Sequence, residues 1–110
     1  MLTVSSDMRT NPRIQVKLFL HLFNDERTFF GTSVDLSGWG IRFKTPCPLE
    51  SGDLIRISFI YKSPYVLNTR IVQEVSEHEY RGLFIFDDIV SRLSLEKNIN
   101  ETKKAHMTYK

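Results

Sequence analysis

The chain has 110 residues, 41% of them hydrophobic and 25% charged, the size and balance of one globular domain rather than a disordered segment. Its formal net charge of +2 is too small for a nucleic-acid binder that works through a broad basic face, since counterion release needs many phosphate contacts. No apolar run approaches the length of a membrane span, the opening MLTVSSDMR is not a secretion signal, and the single cysteine, Cys47, excludes an internal disulfide. A reducing, cytoplasmic setting is the expectation.

Residues 1 to 12 are polar and irregular and end at Asn11-Pro12, where the proline pushes its predecessor into an extended conformation. They are expected to form a flexible arm. Residues 13 to 23, RIQVKLFLHLF, place Ile14, Val16, Leu18, Leu20 and Leu22 on one face of a strand. Phe19 and Phe23 fall on the other face beside Gln15, Lys17 and His21, so that face needs a cover. A turn at Asn24 to Glu26 leads to a second strand over residues 28 to 37. Ile41, Phe43 and Thr45 alternate with Arg42 and Lys44 in a third.

The breaker-rich stretch PCPLESGD, residues 46 to 53, separates the third strand from the fourth, residues 54 to 61. Cys47 lies in this loop, and its sequence neighbours include no cationic cluster to activate the thiol. A long fifth strand covers residues 65 to 79, and a sixth covers 80 to 86. Generous aromatic and β-branched content agrees with a half-buried pleated surface. Six short strands joined by tight turns predict an all-β fold, an antiparallel sheet closed into a six-stranded β-barrel.

After Phe86 the pattern changes. Asp87-Asp88 reads as a helix start, and Ile89, Val90 and Leu93 share a face of a C-terminal α-helix over residues 87 to 99. That face is the natural cover for a barrel mouth or for Phe19 and Phe23. Residues 100 to 110 read as a polar tail. The predicted organisation is thus an arm (1 to 12), a barrel with its helix (13 to 99) and a tail.

Two short patches carry chemistry. In RTNPR, Arg9 and Arg13 point to one side of an extended chain, about 13 Å apart at roughly 3.3 Å per residue. Planar guanidinium groups so placed can take a phosphate bidentately, meet a guanine edge or stack on a base. In DLSGWG, residues 35 to 40, the plain reading is a turn built from Asp35, Ser37 and two glycines. The functional reading is a concavity in which Asp35 accepts from a guanine N–H or orients an arginine. Ser37 would donate to a phosphate, and Gly40 would leave room for a flat or anionic ligand. Trp39 could stack on a base or pack against the protein.

In this order and spacing, Arg9-Thr10-Asn11-Pro12-Arg13 and Asp35-Leu36-Ser37-Gly38-Trp39-Gly40 resemble the R-x-x-x-R and D/N-x-S-x-x-G motifs of PilZ domains, bacterial receptors for cyclic di-GMP. Gly82 in YRGLFIF resembles the family's last barrel strand. The resemblance implies a six-stranded barrel with a C-terminal helix and a site for cyclic di-GMP. In that site Arg9 and Arg13 wrap the ligand while Asp35, Ser37 and Gly40 form the barrel half. It also implies that binding orders the arm and that the changed surface signals to a protein effector. A ligand-independent protein–protein adaptor built on the same barrel is the alternative.

Nothing in the chain points to an enzyme or a bound cofactor. His21, His78 and His106 share no metal-ligand spacing with one another, a carboxylate or Cys47. No Gly-rich loop joins a strand to a helix in the manner of a nucleotide hydrolase. A nucleic-acid polymer is not an expected partner, because the modest charge and the lack of an exposed aromatic–basic strand pattern disfavour it. Arg42, Lys44 and Arg70 could add positive potential near the site, but they read more simply as solvent-facing strand residues.

Overall fold

A computed structural model describes residues 13–108, with side chains for residues 13–103. Seven strands are present among these residues: β1 (Arg13–Gln15), β2 (Phe19–Asn24), β3 (Arg27–Ser37), β4 (Gly40–Lys44), β5 (Leu54–Tyr61), β6 (Ser63–Ser76) and β7 (Glu79–Ile85). A helix, α1 (Ile89–Thr108), follows.

β1 and β2 are the two halves of the first expected strand. Both run antiparallel to β3, but Gln15 faces Asp35 while Phe19 faces Thr32, so the register slips between them. Ser33 makes that irregularity affordable. Its buried hydroxyl accepts the amide of Leu18 (2.7 Å) and donates to the carbonyl of Val16, satisfying backbone groups that the ladder releases. Counted as one interrupted strand, β1 and β2 close a six-stranded antiparallel barrel: β2 pairs with β5, β5 with β6, β6 with β7, β7 with β4 and β4 with β3. Closure leaves the described strands no long free edge.

The alternation that predicts the strands also fills the barrel. Leu20, Leu22, Leu36, Ile41, Phe43, Ile57, Ile71 and Tyr80 are buried in one cluster. Tyr80 is tolerated there because its hydroxyl accepts the amide of Leu49 at 3.0 Å. The fifth strand ends sooner than its sequence suggests. Glu77 and His78 form the β6–β7 turn, and His78 adopts a left-handed φ of 64°.

The helix departs from expectation in two respects. It begins as anticipated, with Asp88 Oδ1 accepting the amide of Ser91 at 2.7 Å, but it continues past residue 99 to Thr108. The residues predicted to pack, Ile89, Val90 and Leu93, are exposed. Leu95 and Ile99 are fully buried instead, and burying two such side chains stabilises the cap by about 3–6 kcal/mol.

Polar contacts orient the helix over the barrel end. The hydroxyl of Tyr65 meets Ser94 Oγ at 2.9 Å and accepts from Asn98 Nδ2 at 2.8 Å, and Tyr61 bonds Thr102. Lys103 Nζ donates to the carbonyl of Arg13 at 3.3 Å. Among the described residues no helix lies over the outward face bearing Phe19, which is exposed. No helix among the described residues is long and apolar enough to cross a membrane.

Candidate functional site

The DLSGWG stretch is the β3–β4 connection. Leu36 faces Ile41 and Asp35 faces Arg42, so the turn lies between Ser37 and Gly40. Ser37 builds this turn from within. Its buried hydroxyl accepts the amides of Trp39 and Gly40, both at 3.1 Å, and lies 3.3 Å from the Gly40 carbonyl to which it donates. β7 fixes the other side, where the amide of Phe84 donates to the Trp39 carbonyl at 2.8 Å. A Cβ on Gly40 would run into the carbonyl oxygen of Gly82, and one on Gly38 into the side chain of Glu96. Ser37 and Gly40 therefore have reasons to be what they are in the fold itself.

Asp35 is 9% exposed and holds two cations. Arg13, on β1 opposite Ser37, donates from Nη1 to Asp35 Oδ1 at 3.0 Å. Arg42 Nε lies 3.5 Å from Asp35 Oδ2 and 3.1 Å from Glu79 Oε2, tying β3 to β7 through β4. Those Arg42 contacts are ion pairs by distance without the alignment of hydrogen bonds. The Arg13 side chain keeps 51% exposure, and among the described residues its guanidinium is anchored at one nitrogen. This is a cation held in place with donors to spare, the condition for seizing an anion without first ordering a loose side chain.

Of the five residues expected to form the site, Arg13, Asp35, Ser37 and Gly40 are brought to one corner of the barrel surface. Arg9 lies outside the described residues. Trp39 is 40% exposed, and the Arg92 guanidinium sits 4.0 Å from its ring centroid. Arg92 in turn lies 3.5 Å from Glu96, so the helix grips the turn from above.

Two of these participants are not among the expected site residues. Arg42 is not simply a solvent-facing strand residue, since it shares Asp35 with Arg13. Its place could be found by pairing residues outward from the turn. Arg92 gives no such signal, because its partner Trp39 is distant in the chain. Cys47 also gains an unforeseen neighbour, with Arg27 Nη2 at 3.2 Å from its sulfur.

The PilZ domain model matches residues 7–106. The chain belongs to the PilZ domain family. PilZ domains are binding domains, and the closed six-stranded barrel with a C-terminal helix agrees with the solved structures that this one resembles. The PilZ domain of CeSA from a cellulose-synthesizing bacterium superposes with a TM-score of 0.68 at 18% identity, covering 84% of this chain and 98% of that one. Bacillus subtilis inhibitor of motility (MotI/DgrA) superposes with a TM-score of 0.69 at 10% identity, covering 86% of this chain. The chain spans only 50% of the MotI/DgrA chain. At these identities both likenesses concern the fold alone. No curated protein matches the chain by sequence.

Proposed function

We propose that this PilZ domain binds cyclic di-GMP in the bacterial cytoplasm, orders its N-terminal arm on binding, and presents the altered surface to a protein effector. One observation carries the reading: Arg13 is tethered to the buried carboxylate of Asp35 yet half open to solvent at the DLSGWG corner. Tethered in this way, the guanidinium offers its remaining donors to a phosphate or a guanine edge. Asp35 then acts chiefly by orienting Arg13 rather than by accepting from guanine. Arg9, on the arm, closes on the ligand from the opposite side. Part of the interaction energy is consumed in ordering residues 1 to 12, as in other disorder-to-order switches.

A second reading is a ligand-independent adaptor. It is favoured by the fold-internal roles of Ser37 and Gly40, which such an adaptor would keep for the turn alone. Isothermal titration of the full chain with cyclic di-GMP separates the two. Saturable binding is the expected result. A folded protein with no detectable heat at ligand concentrations of tens of micromolar, in the range where roughly 7 kcal/mol of binding would register, leaves only the adaptor.

A further inference from the structure

On the outer face of the β2–β3 hairpin, away from the DLSGWG corner, four aromatic rings form a ladder. Phe19 stacks on Phe30 at 5.3 Å, Phe30 on His21 at 5.1 Å, and His21 tilts against Phe23 at 4.5 Å. Cross-strand pairs of this kind support a sheet. These two phenylalanines nevertheless remain 67% and 52% exposed, and no other described residue covers the face. Beside the ladder lies a hollow of about 660 Å³, lined by Phe19, Phe30, Lys44, Pro46 and His78. An exposed apolar surface next to a concavity is the anatomy of a protein-binding site.

The charges around it are mainly basic, the exception beside the hollow being Glu77, whose carboxylate lies 3.7 Å from Nε2 of His78. Lys17 and Lys44 border a second hollow with Thr32 at one end of the ladder, and Arg56 faces Phe23 across β2 and β5 at the other. The outward positions of these strand segments carry no carboxylate: Lys17, Phe19, His21 and Phe23 on β2 and before it, Thr28, Phe30 and Thr32 on β3. Asp25 and Glu26 lie at the hairpin tip, where Asp25 shares a hollow with Phe23 and Arg56, and Glu79, opposite Lys44, is engaged by Arg42.

We infer that this face is a docking surface for an acidic, apolar segment of a partner protein. Aromatic or aliphatic anchors of the partner would fill the hollow, and its carboxylates would meet Lys17, Lys44 and Arg56. The closed barrel offers no long strand edge among the described strands for β-augmentation, so side chains must do the recognising. The basic rim opposes a second copy of the same face. Nucleic acid is a poorer fit, although the fold does expose an aromatic–basic strand face that the sequence alone does not reveal. Three cations neutralise too few phosphates, and the hollow is lined largely by carbon. The inference rests on the effector half of the proposed function and not on ligand binding.

The test is selection of peptides from a random phage-displayed library on the full, folded chain, followed by anisotropy titration of the selected peptides. The expected outcome is enrichment in Asp or Glu together with Phe, Leu, Ile or Trp. The Phe19→Ser/Phe30→Ser variant should weaken those peptides by about tenfold or more, and Lys17→Glu/Lys44→Glu by a similar factor, with circular dichroism unchanged. Calorimetric titration with cyclic di-GMP should be the same for all three proteins, so failure here is distinguishable from failure of the ligand reading. Any of four results overturns the proposal. The selected peptides lack acidic residues, or they bind the serine variant as well as the parent. Light scattering shows a dimer that the serine variant disperses, or single-stranded RNA binds the parent and not that variant.

Discussion

Replacing Arg13 with alanine should separate ligand affinity from stability. The side chain is 51% exposed and makes one 3.0 Å hydrogen bond to Asp35. Discounted for solvent screening, so wet an ion pair contributes at most about 1 kcal/mol to the fold. Asp35 retains Arg42 at 3.5 Å after the change, so its carboxylate is not stranded. Against a phosphate or guanine edge the same guanidinium contributes more, about 1.5–3 kcal/mol for a hydrogen bond to a charged group. That corresponds to a loss in affinity of about 13- to 160-fold. Calorimetric titration of the parent and Arg13→Ala with cyclic di-GMP, beside urea unfolding of both, measures the two quantities separately. Unchanged affinity would refute the assignment of Arg13 to the ligand. A stability loss above about 2 kcal/mol would show that Arg13 belongs to the scaffold, contrary to the reasoning from its exposure.

Further outcomes follow from the helix and the turn. Leu95→Ala or Ile99→Ala should cost about 2–5 kcal/mol in chemical denaturation, whereas Leu93→Ala should fall within about 0.5 kcal/mol; the reverse order would mean that another helix face meets the barrel. Gly40→Ala should lower stability by about 1–3 kcal/mol, because the neighbour it meets is the Gly82 carbonyl of an adjoining strand and cannot swing aside. Thermal unfolding reads this as a loss of several degrees, and a neutral substitution would place the turn differently. A double-mutant cycle on Trp39→Ala and Arg92→Ala should return a coupling of about 0.5–2 kcal/mol for the stacked pair, and strict additivity would deny the contact.

The barrel was legible because period-two alternation in the strands is imposed by burial itself. Leu20 and Leu22, or Ile55 and Ile57, announce an inside and an outside without further information. The helix was harder to read. Its most apolar positions, Ile89, Val90 and Leu93, stand in solvent, while the packed face mixes Leu95 and Ile99 with Ser94, Asn98 and Thr102. Tyrosine hydroxyls on the barrel make those polar residues compatible with an interface, and a search for apolar periodicity cannot see them. The extension beyond residue 99 is missed for the same reason, since its identified ties are Thr102 bonding Tyr61 and a lysine reaching the Arg13 carbonyl.

At the site, it is the resemblance to the PilZ motifs that implies Arg13, Asp35, Ser37 and Gly40 are neighbours. It did not show that Ser37 is occupied by its own turn or that Gly40 is shaped by Gly82. Those roles depend on which strand lies alongside, which only the closed sheet decides. Arg42 becomes part of the Asp35 cluster through hairpin register, and Arg92 through the path of the helix. The aromatic ladder is half visible in the sequence: alternation shows that Phe19 and Phe23 need a cover, but their stacking with Phe30 and His21 depends on the β2–β3 pairing.

A crystal structure of the full chain with cyclic di-GMP tests the central claim most directly. The account expects Arg13 to hold its link to Asp35 while its free nitrogens, with Arg9 from the ordered arm, contact the dinucleotide at the DLSGWG corner. A ligand bound elsewhere, or an arm directed away from that corner, would contradict it.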